Sequence, residues 1–248
     1  MLPAGFDSSH YNTENNVFLK HHYAEKQYSS SRQRRYRRQL RNFQHYGSHL
    51  LEIGSNTGGF LFAAQAMGWR ATGIEPVADV ANYGVKRHNL DVYIGTLDEY
   101  VVQAGGQREA YDVIYCNAVL EHLVDPRGSL NMAFDLLRPG GVFFADTVNI
   151  DSYTCQFLGR DWRLLDPRAH LSLFTPQNLD RLLAGAGFHN TRLRSRGFRF
   201  NSNRAATGWN LERLAGEFRK APYSLAARLW LKGDSVTVLA HKPQQTLG

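Results

Sequence analysis

The chain runs Leu50-Leu51-Glu52-Ile53-Gly54-Ser55-Asn56-Thr57-Gly58-Gly59-Phe60 ahead of a predicted helix from Phe60 to Met67. This stretch combines a short apolar strand with a glycine-rich turn that opens a helix. Glycines allow a tight bend and a close approach of a ligand to the backbone. The start of the helix offers unpaired N–H groups. The stretch therefore predicts a turn that holds the polar part of a nucleotide-like cofactor.

Two cofactors fit such a turn. Gly54-x-Asn56-x-x-Gly59 matches the dinucleotide fingerprint imperfectly, because Asn56 replaces the glycine that lets a pyrophosphate approach. Glu75 ends the next apolar strand, about 20 residues downstream, where a ribose-binding acid is expected. The ribose of S-adenosylmethionine (SAM) presents the same two hydroxyls as that of NAD. Glu52 favours SAM, since a carboxylate there would repel a pyrophosphate and suit a methionine ammonium.

Further motifs follow in order along the chain. They are Tyr111-Asp112-Val113-Ile114, Leu120-Glu121-His122-Leu123, Leu136-Leu137-Arg138-Pro139-Gly140-Gly141, and then Trp162, Pro167-Arg168-Ala169-His170-Leu171, Phe174-Thr175-Pro176, Leu182-Leu183 and Ala186-Gly187-Phe188. With Glu52-x-Gly54-x-x-x-Gly58 and Glu75, they make the chain resemble the class I SAM-dependent methyltransferases. The resemblance is to the ubiquinone-methyltransferase-like branch acting on small molecules, and it covers residues 50–188.

Strand and helix patterns alternate from His49 onward. The predicted strands are His49–Ile53, Arg70–Ile74, Asp91–Ile94, Tyr111–Cys116, Val142–Asp146, Asn190–Arg196 and Ser235–His241. Such alternation predicts parallel βαβ units with right-handed crossovers. The resemblance implies a Rossmann-like, mostly parallel sheet of seven strands flanked by helices, with the last strand antiparallel beside the fifth.

Three segments lie outside that predicted core. Residues 1–46 form a leader with a lid helix, ahead of a methyltransferase domain over residues 47–248. Two insertions, near 148–173 and 199–233, follow the fifth and sixth strands. Ligands of open α/β sheets bind outside the carboxyl ends of the strands. The leader and the insertions are therefore predicted to build the substrate cap.

Composition limits the class of protein. At 248 residues and 43% hydrophobic residues, one domain with a buried core is expected. The longest apolar runs have the length of strands, so no membrane span is predicted, and the polar segment Met1 to His10 lacks the apolar region of a secretory signal. Cys116 and Cys155 are the two cysteines, too few for a disulfide framework. We expect a cytoplasmic protein.

The net charge of +7 is concentrated in one segment, which contains Arg32, Arg34, Arg35, Arg37, Arg38 and Arg41. Such a patch could attract the phosphates of nucleic acid, an acidic lipid or a nucleotide-linked substrate. Tyr36, Leu40 and Phe43 recur at i, i+4 and i+7, however, and predict an amphipathic helix seated on the core. We favour this second interpretation, in which the arginines are the solvated face of that helix.

The resemblance also implies roles for cofactor-binding residues. Gly54 and Gly58, with Asn56 between them, would give backbone room to the methionine part of SAM, and Glu52 would bind its ammonium. Glu75 would accept both ribose hydroxyls. Thr96 and Leu97 would contact the adenine, and Asn117 would contact the methionine end of SAM. The run Thr96-Leu97-Asp98 also fits a helix N-terminus.

Two histidines are the candidate catalytic residues. Methyl transfer from a sulfonium is an in-line displacement that positioning alone can accelerate. A hydroxyl acceptor must also lose its proton, so a general base or a metal is then useful. His122 follows the fourth strand, and His170 lies in the first insertion. Each could serve as the base, or each could shape the pocket.

Residues of the cap and the leader are predicted to contact the acceptor; they are Trp162, Arg168, Asn149, Tyr11 and Tyr23. Glu121 and His122 with His170 also suggest a sparse divalent site. The RNA 3′-terminal ribose methyltransferases use a Glu-x-x-Glu-His arrangement here, but Ala118 stands in place of the first acid. We therefore predict no metal.

The predicted activity is methyl transfer from SAM to a small molecule, at a hydroxyl oxygen of a sugar, a phenol or quinol, or another natural product. One alternative is an RNA-modifying methyltransferase that uses the basic N-terminal segment. Another is a SAM-binding protein without catalysis. The sequence favours a small-molecule partner over nucleic acid, and it fits a monomer or a homodimer equally.

Overall fold

A computed structural model describes residues 24–105, 108–162, 164–167, 169–197 and 225–244. Its seven strands are β1 (His49–Ile53), β2 (Arg70–Glu75), β3 (Asp91–Ile94), β4 (Tyr111–Asn117), β5 (Leu137–Val148), β6 (His189–Arg196) and β7 (Ser235–His241). They form one sheet in the order β3-β2-β1-β4-β5-β7-β6. The first five strands pair in parallel, and β7 pairs antiparallel with both β5 and β6. The predicted Rossmann-like sheet is confirmed, including the antiparallel last strand beside the fifth.

Helices connect and flank the strands. They are α1 (Ser30–Arg41), α2 (Gly59–Gln65), α3 (Ala78–His88), α4 (Leu97–Gln103), α5 (Pro126–Leu136), α6 (Tyr153–Leu158) and α7 (Pro176–Gly185), with short 3-10 turns at Leu120–His122 and Gly159–Asp161. Within the described ranges, no helix combines the length and the apolar character needed to cross a membrane.

The sheet carries a core on each face, because successive side chains of a strand point to opposite sides. Leu51 and Ile53 of β1 face one core, which α4, α5 and α7 cover. Leu50 faces the other core, which α1 and α2 cover. Each of the central strands is therefore apolar on both faces, as is usual for parallel sheets.

Helix α1 is seated as its apolar stripe predicts. Leu40 and Phe43 are buried in the second core, and Tyr36 packs against it. The arginines of the helix lie on its outer side, where all but the half-buried Arg32 are exposed. The interpretation of this segment as an amphipathic helix is confirmed.

Strand β5 is longer at both ends than the sequence predicts. Leu137 pairs with Tyr111 ahead of an irregularity, and regular pairing with β4 resumes at Val142. The glycine and proline of Arg138-Pro139-Gly140 hid this first segment, since both residues are poor strand formers. At the other end, Thr147 and Val148 continue the strand because β7 offers them antiparallel partners.

The predicted division into leader, domain and caps stays a prediction. Helix α1 falls within the leader, while residues 1–23 lie outside the described part of the chain. The first insertion contains α6 and a 3-10 turn. Most of the second insertion lies outside the described residues. Its last part has a helix at 225–229.

Candidate active site

The glycine-rich turn after β1 bends through left-handed backbone at three positions. The φ angles are 71° at Gly54, 51° at Asn56 and 82° at Gly58. The turn is anchored to β2, because the N–H groups of Gly54 and Ser55 donate to the carbonyl of Ile74 at 2.8 and 2.9 Å. Positive φ is costly for residues with a Cβ, so glycine suits the first and last of these positions.

The space beside these two glycines is filled by packing. A Cβ at Gly54 would overlap the side chain of Val119, and a Cβ at Gly58 would overlap that of Leu90. The glycines are therefore required by the backbone angle and by the side chains that press on the turn. Their contact with the methionine part of SAM, and that of Asn56, stay predictions.

Glu52 is a buried acid with incomplete hydrogen bonding. Its exposed fraction is 6%, and its Oε2 has no hydrogen-bond partner among the described residues. Burial raises its pKa well above 4.5, and the nearby carboxylate of Glu75 raises it further. An unsatisfied buried carboxylate oxygen is costly unless a ligand completes it. The ammonium group of a methionine moiety would satisfy this oxygen and neutralise the charge, so the residue fits the predicted cofactor.

Glu75 lies beside it at the end of β2. Its Oε2 accepts a hydrogen bond from the N–H of Asn56 at 2.9 Å, and its Oε1 accepts one from Val77 at 3.0 Å. Burial raises the pKa of Glu75, although these two N–H groups act in the opposite direction. Each carboxylate oxygen keeps a lone pair for a ribose hydroxyl. The backbone thus holds the carboxylate in place for a vicinal diol.

The turn after β3 is a helix start. Thr96 is the N-cap of α4, where its Oγ1 accepts from the N–H of Glu99 at 3.3 Å and its own N–H donates to Glu99 Oε2 at 2.7 Å. Leu97 is buried in the first core. The alternative interpretation of this run as a helix N-terminus is therefore confirmed, while its contact with adenine stays a prediction.

A network from the N-terminal side supports the glycine turn, and the sequence analysis missed it. The hydroxyl of Tyr28 donates to the carbonyl of Thr57, and its ring stacks on His88 with centroids 4.2 Å apart. Nε2 of Gln33 donates to the carbonyls of Gln27 at 3.0 Å and Gly59 at 2.8 Å. One signal was available, because Gln33 is a polar residue on the apolar stripe of α1.

The chain turns sharply after β4 and directs an acid inward. Ala118 is left-handed, with φ 56°, and its N–H donates to the carbonyl of Asp146 at 2.7 Å. The 3-10 turn that follows buries Glu121 to an exposed fraction of 2%, and Thr147 Oγ1 donates to its Oε2 at 2.7 Å. Asn117, the last residue of β4, lies half-buried at the same edge of the sheet; its contact with the methionine end of SAM stays a prediction.

The structure brings the two candidate histidines together. The rings of His122 and His170 have centroids 5.0 Å apart. Nδ1 of His122 lies 2.6 Å from the carbonyl of Ala169, and Nδ1 of His170 lies 2.8 Å from that of Leu164. A carbonyl only accepts, so in each neutral ring Nδ1 carries the proton and Nε2 keeps its lone pair. Both imidazoles are thus oriented by the backbone with a basic nitrogen left over.

Glu121 joins this pair to make a possible metal-binding set. One ligand atom each from Glu121, His122 and His170 lie within 4.8 Å of one another. Imidazole and carboxylate are ligands of Zn²⁺ and related ions. The carboxylate of Glu121 already accepts from Thr147, and Ala118 contributes no fourth ligand. The absence of a metal stays a prediction.

One predicted acceptor contact, Asn149, is buried and hydrogen-bonded within the protein. Asn149 has no exposed surface, and its Nδ2 donates to the carbonyls of Leu231 and Gly233, both at 2.9 Å. Its Oδ1 accepts from the N–H of Asp151 at 3.0 Å. Its Nδ2 therefore fastens the segment before β7 to the end of β5, and its Oδ1 holds the turn at Asp151; its contact with an acceptor stays a prediction.

Of the other predicted acceptor contacts, only Trp162 lies within the described residues. Trp162 is 3% exposed and packs inside the first insertion, where its role as pocket wall stays a prediction. Arg168, Tyr11 and Tyr23 lie outside the described residues.

Comparison with known proteins gives a consistent picture. Residues 21–193 match a family model described as a methyltransferase domain. The ubiquinone biosynthesis O-methyltransferase of Psychrobacter arcticus is 32% identical over 157 residues, covering 57% of this chain and 59% of that protein. The enzyme of the same name from Aromatoleum aromaticum is 30% identical over 160 residues, covering 59% of this chain and 66% of that protein. The match thus spans less than two thirds of either relative.

Among solved structures, a SAM dependent methyltransferase from Archaeoglobus fulgidus superposes with a TM-score of 0.60. The two are 18% identical, and the match covers 85% of this chain and 94% of that one. At this identity the likeness concerns the fold.

Proposed function

Because the chain belongs to the SAM-dependent methyltransferases, we propose that it transfers a methyl group to a hydroxyl oxygen of a small phenol or quinol. The observation that carries the proposal is the pair His122 and His170, each with Nδ1 tied to a backbone carbonyl and Nε2 left to accept a proton. A phenolic hydroxyl is the acceptor class for which such a base is most useful.

The site lies where the cofactor would present its methyl group. Ile53 of β1 and Cys116 of β4 are register partners, so the glycine turn and the loop that carries His122 leave the sheet side by side. Bound SAM would supply an electrophilic methyl on a sulfonium. Glu52 would hold its ammonium group and Glu75 its ribose hydroxyls, which leaves the acceptor side to the histidines.

The role of the protein is then to orient the acceptor and to remove its proton. One imidazole Nε2 takes the hydroxyl proton as the oxygen attacks, and the other ring shapes the pocket beside it. Which of the two accepts the proton depends on the acceptor pose. His170 is the stronger candidate, because it lies on the insertion that would cover the acceptor.

The test uses purified protein, methyl-labelled SAM and a panel of catechols and prenylated phenols, with sugars and total RNA as the other acceptor classes. We expect label in a phenolic product. The variant His170→Ala should lower the turnover number by about a hundredfold or more, with SAM affinity unchanged. His189→Ala, at the opposite edge of the sheet, is the matched control and should behave as wild type.

The contrary results are equally definite. Label in RNA alone would replace the phenol by a nucleic-acid acceptor, and SAM binding without transfer to any class would leave a binding protein. Loss of activity in EDTA, restored by Zn²⁺ or Mg²⁺, would assign Glu121, His122 and His170 to a metal instead of a free base. That reassignment would contradict the general-base step and keep the acceptor class.

A further inference from the structure

A basic groove lies beside helix α1 and is lined by none of the residues of the glycine turn or the histidine pair. It has a volume of about 830 Å³ and runs between α1 and the antiparallel part of the sheet, β5-β7-β6. We call it the arginine groove after the cations that line it, which are Arg35, Arg38, Arg192, Arg194, Arg196 and Arg228. These six residues come from α1, β6 and the helix at 225–229, so three separate segments of the chain contribute to one surface.

The strand arginines share a face because of the two-residue period of β6. Arg192, Arg194 and Arg196 alternate with Leu193 and Ser195, so their side chains leave the same side of the sheet. That side is the one α1 covers, since Arg192 pairs with Leu239 of β7, which in turn pairs with Phe144 of β5. Phe144 and Leu239 both pack against the core beneath α1.

The helix arginines face them from the other wall. Arg35 and Arg38 are three residues apart on α1, which places them on one side of the helix. Both are exposed. Burial raises the pKa of Asp146 to about 6, and Arg196 and Arg35 both act to lower it. One carboxyl group at the end of the groove is therefore close to an arginine from each wall.

Within residues 24–105, 108–162, 164–167, 169–197 and 225–244, most of the positive charge of the groove has no ion-pair partner. Arg196 forms an ion pair with Asp146, with Nη2 and Oδ2 2.7 Å apart. The structure records no ion pair for the other five arginines within the described chain. Like charges held at neighbouring positions of a strand or a helix destabilise the fold. A bound anion would offset this repulsion.

The shape of the groove indicates the size of that anion. Its floor contains apolar side chains, among them Phe43, Phe144 and Leu239, with the arginines around them. Concave sites of a few hundred cubic ångströms with an apolar floor and a few convergent charges are typical of small-molecule sites. The guanidinium group matches phosphate oxygens in a two-pronged geometry that lysine cannot provide.

We propose that the arginine groove binds a small molecule that carries a diphosphate, such as a nucleoside diphosphate, with its apolar or aromatic part on the floor. The proposal does not depend on methyl transfer, because none of the groove residues belongs to the glycine turn or to the histidine pair.

The test is isothermal titration of the whole chain with inorganic pyrophosphate and with uridine diphosphate. We expect both to bind, and uridine diphosphate to bind more tightly because its base and ribose cover the apolar floor. The variant Arg192→Gln/Arg194→Gln should weaken both affinities at least tenfold. Arg35→Gln/Arg38→Gln should do the same from the opposite wall, so the proposal stays testable if one variant folds poorly.

The matched control is Arg127→Gln/Arg181→Gln. It removes two exposed arginines from α5 and α7, on the other face of the sheet, and so lowers the net charge equally. We expect it to bind as wild type does. Equal weakening in the control, or no saturable binding of either diphosphate, would overturn the proposal. Binding of a single-stranded RNA dodecamer a hundredfold tighter than uridine diphosphate would also overturn it, in favour of a nucleic-acid surface.

Discussion

Glu52 and Glu75 lie near the ends of neighbouring strands at the same edge of the sheet. Because both carboxyl groups are buried there, ionisation of Glu75 disfavours ionisation of Glu52. Burial is the main reason that the pKa of Glu52 lies well above 4.5, and Glu75 is the second. Without a ligand, the pair is therefore partly protonated where exposed glutamates are ionised. Two consequences can be measured.

The first prediction concerns proton release. The ammonium of SAM would favour the ionised form of Glu52, so binding should expel a proton in the pH window between the ordinary carboxyl pKa and the raised pKa of Glu52. Calorimetry in two buffers of different ionisation enthalpy measures this number directly. Glu52→Gln should abolish the release and weaken binding, and a wild-type release of zero would contradict the ammonium assignment.

The raised pKa of Glu52 also predicts how the stability of the ligand-free protein changes with pH. Because the pKa of Glu52 is raised in the folded state, its favourable contribution to stability is present below the ordinary carboxyl pKa and is lost as the pH rises through the folded value. The ligand-free protein should therefore lose stability over that window. In Glu52→Gln the loss should be smaller, as measured by urea unfolding at a series of pH values.

The second prediction concerns Glu75. Glu75→Ala removes the acceptor of two backbone N–H groups and of the ribose hydroxyls, so the affinity for SAM should fall by about tenfold or more. Asp180→Ala, an exposed acid on α7, is the control and should bind SAM as wild type does. Calorimetry that finds equal affinities in all three proteins would remove Glu75 from the ribose site.

The third prediction separates backbone strain from packing at Gly54. Gly54→Ala should lose about 1–2 kcal/mol from the left-handed angle and a further 1–3 kcal/mol, roughly, from overlap with Val119. Gly68→Ala is the matched control, since Gly68 has φ 82° and nothing within 4 Å of a Cβ. It should show the first loss alone.

The same measurement has an internal check. Val119→Ala removes the overlapping side chain, so the double variant Gly54→Ala/Val119→Ala should recover part of the loss relative to the sum of the single changes. Strict additivity of the unfolding free energies would show that Val119 does not press on the turn.

The fourth prediction concerns the support from Tyr28. Tyr28→Phe keeps the ring on His88 and deletes the hydroxyl that donates to Thr57, so unfolding should become easier by about 1 kcal/mol. The glycine turn should loosen, which protection of its amide groups against hydrogen exchange would report. Tyr93→Phe, whose hydroxyl has no recorded bond in the described structure, is the control.

The sequence was most informative where local and tertiary preferences agree. Strands β1, β3 and β7 have the predicted bounds, because each is a short apolar or alternating run between turn residues. The glycine turn and the two acids near the ends of β1 and β2, Glu52 and Glu75, were found because their spacing follows from one βαβ unit. The sequence analysis grouped His122 with His170 as a possible divalent site, but a spacing of 48 positions could not give the distance between the two rings.

The hydrogen-bond and charge partners of individual side chains were also not predictable from the sequence. An asparagine after β5 predicts a polar contact, but only the fold shows that its partners are the carbonyls of Leu231 and Gly233 and the N–H of Asp151. The arginine groove was likewise hidden. Arg192, Arg194 and Arg196 show the alternation that is common in edge strands. They lie on the same groove as Arg35 only because β7 is inserted between β5 and β6.

That position of β7 also sets the order in which the sheet is completed. During synthesis, residues 137–196 emerge before residues 235–241, so β5 and β6 must wait for a strand from much later in the chain. Until β7 arrives, the outer edge of β5 offers unpaired backbone groups, which is a hazard for association with other chains. The long separation in sequence also slows folding. The parallel half that carries the glycine turn can therefore form first, and the half that carries the arginines is completed last.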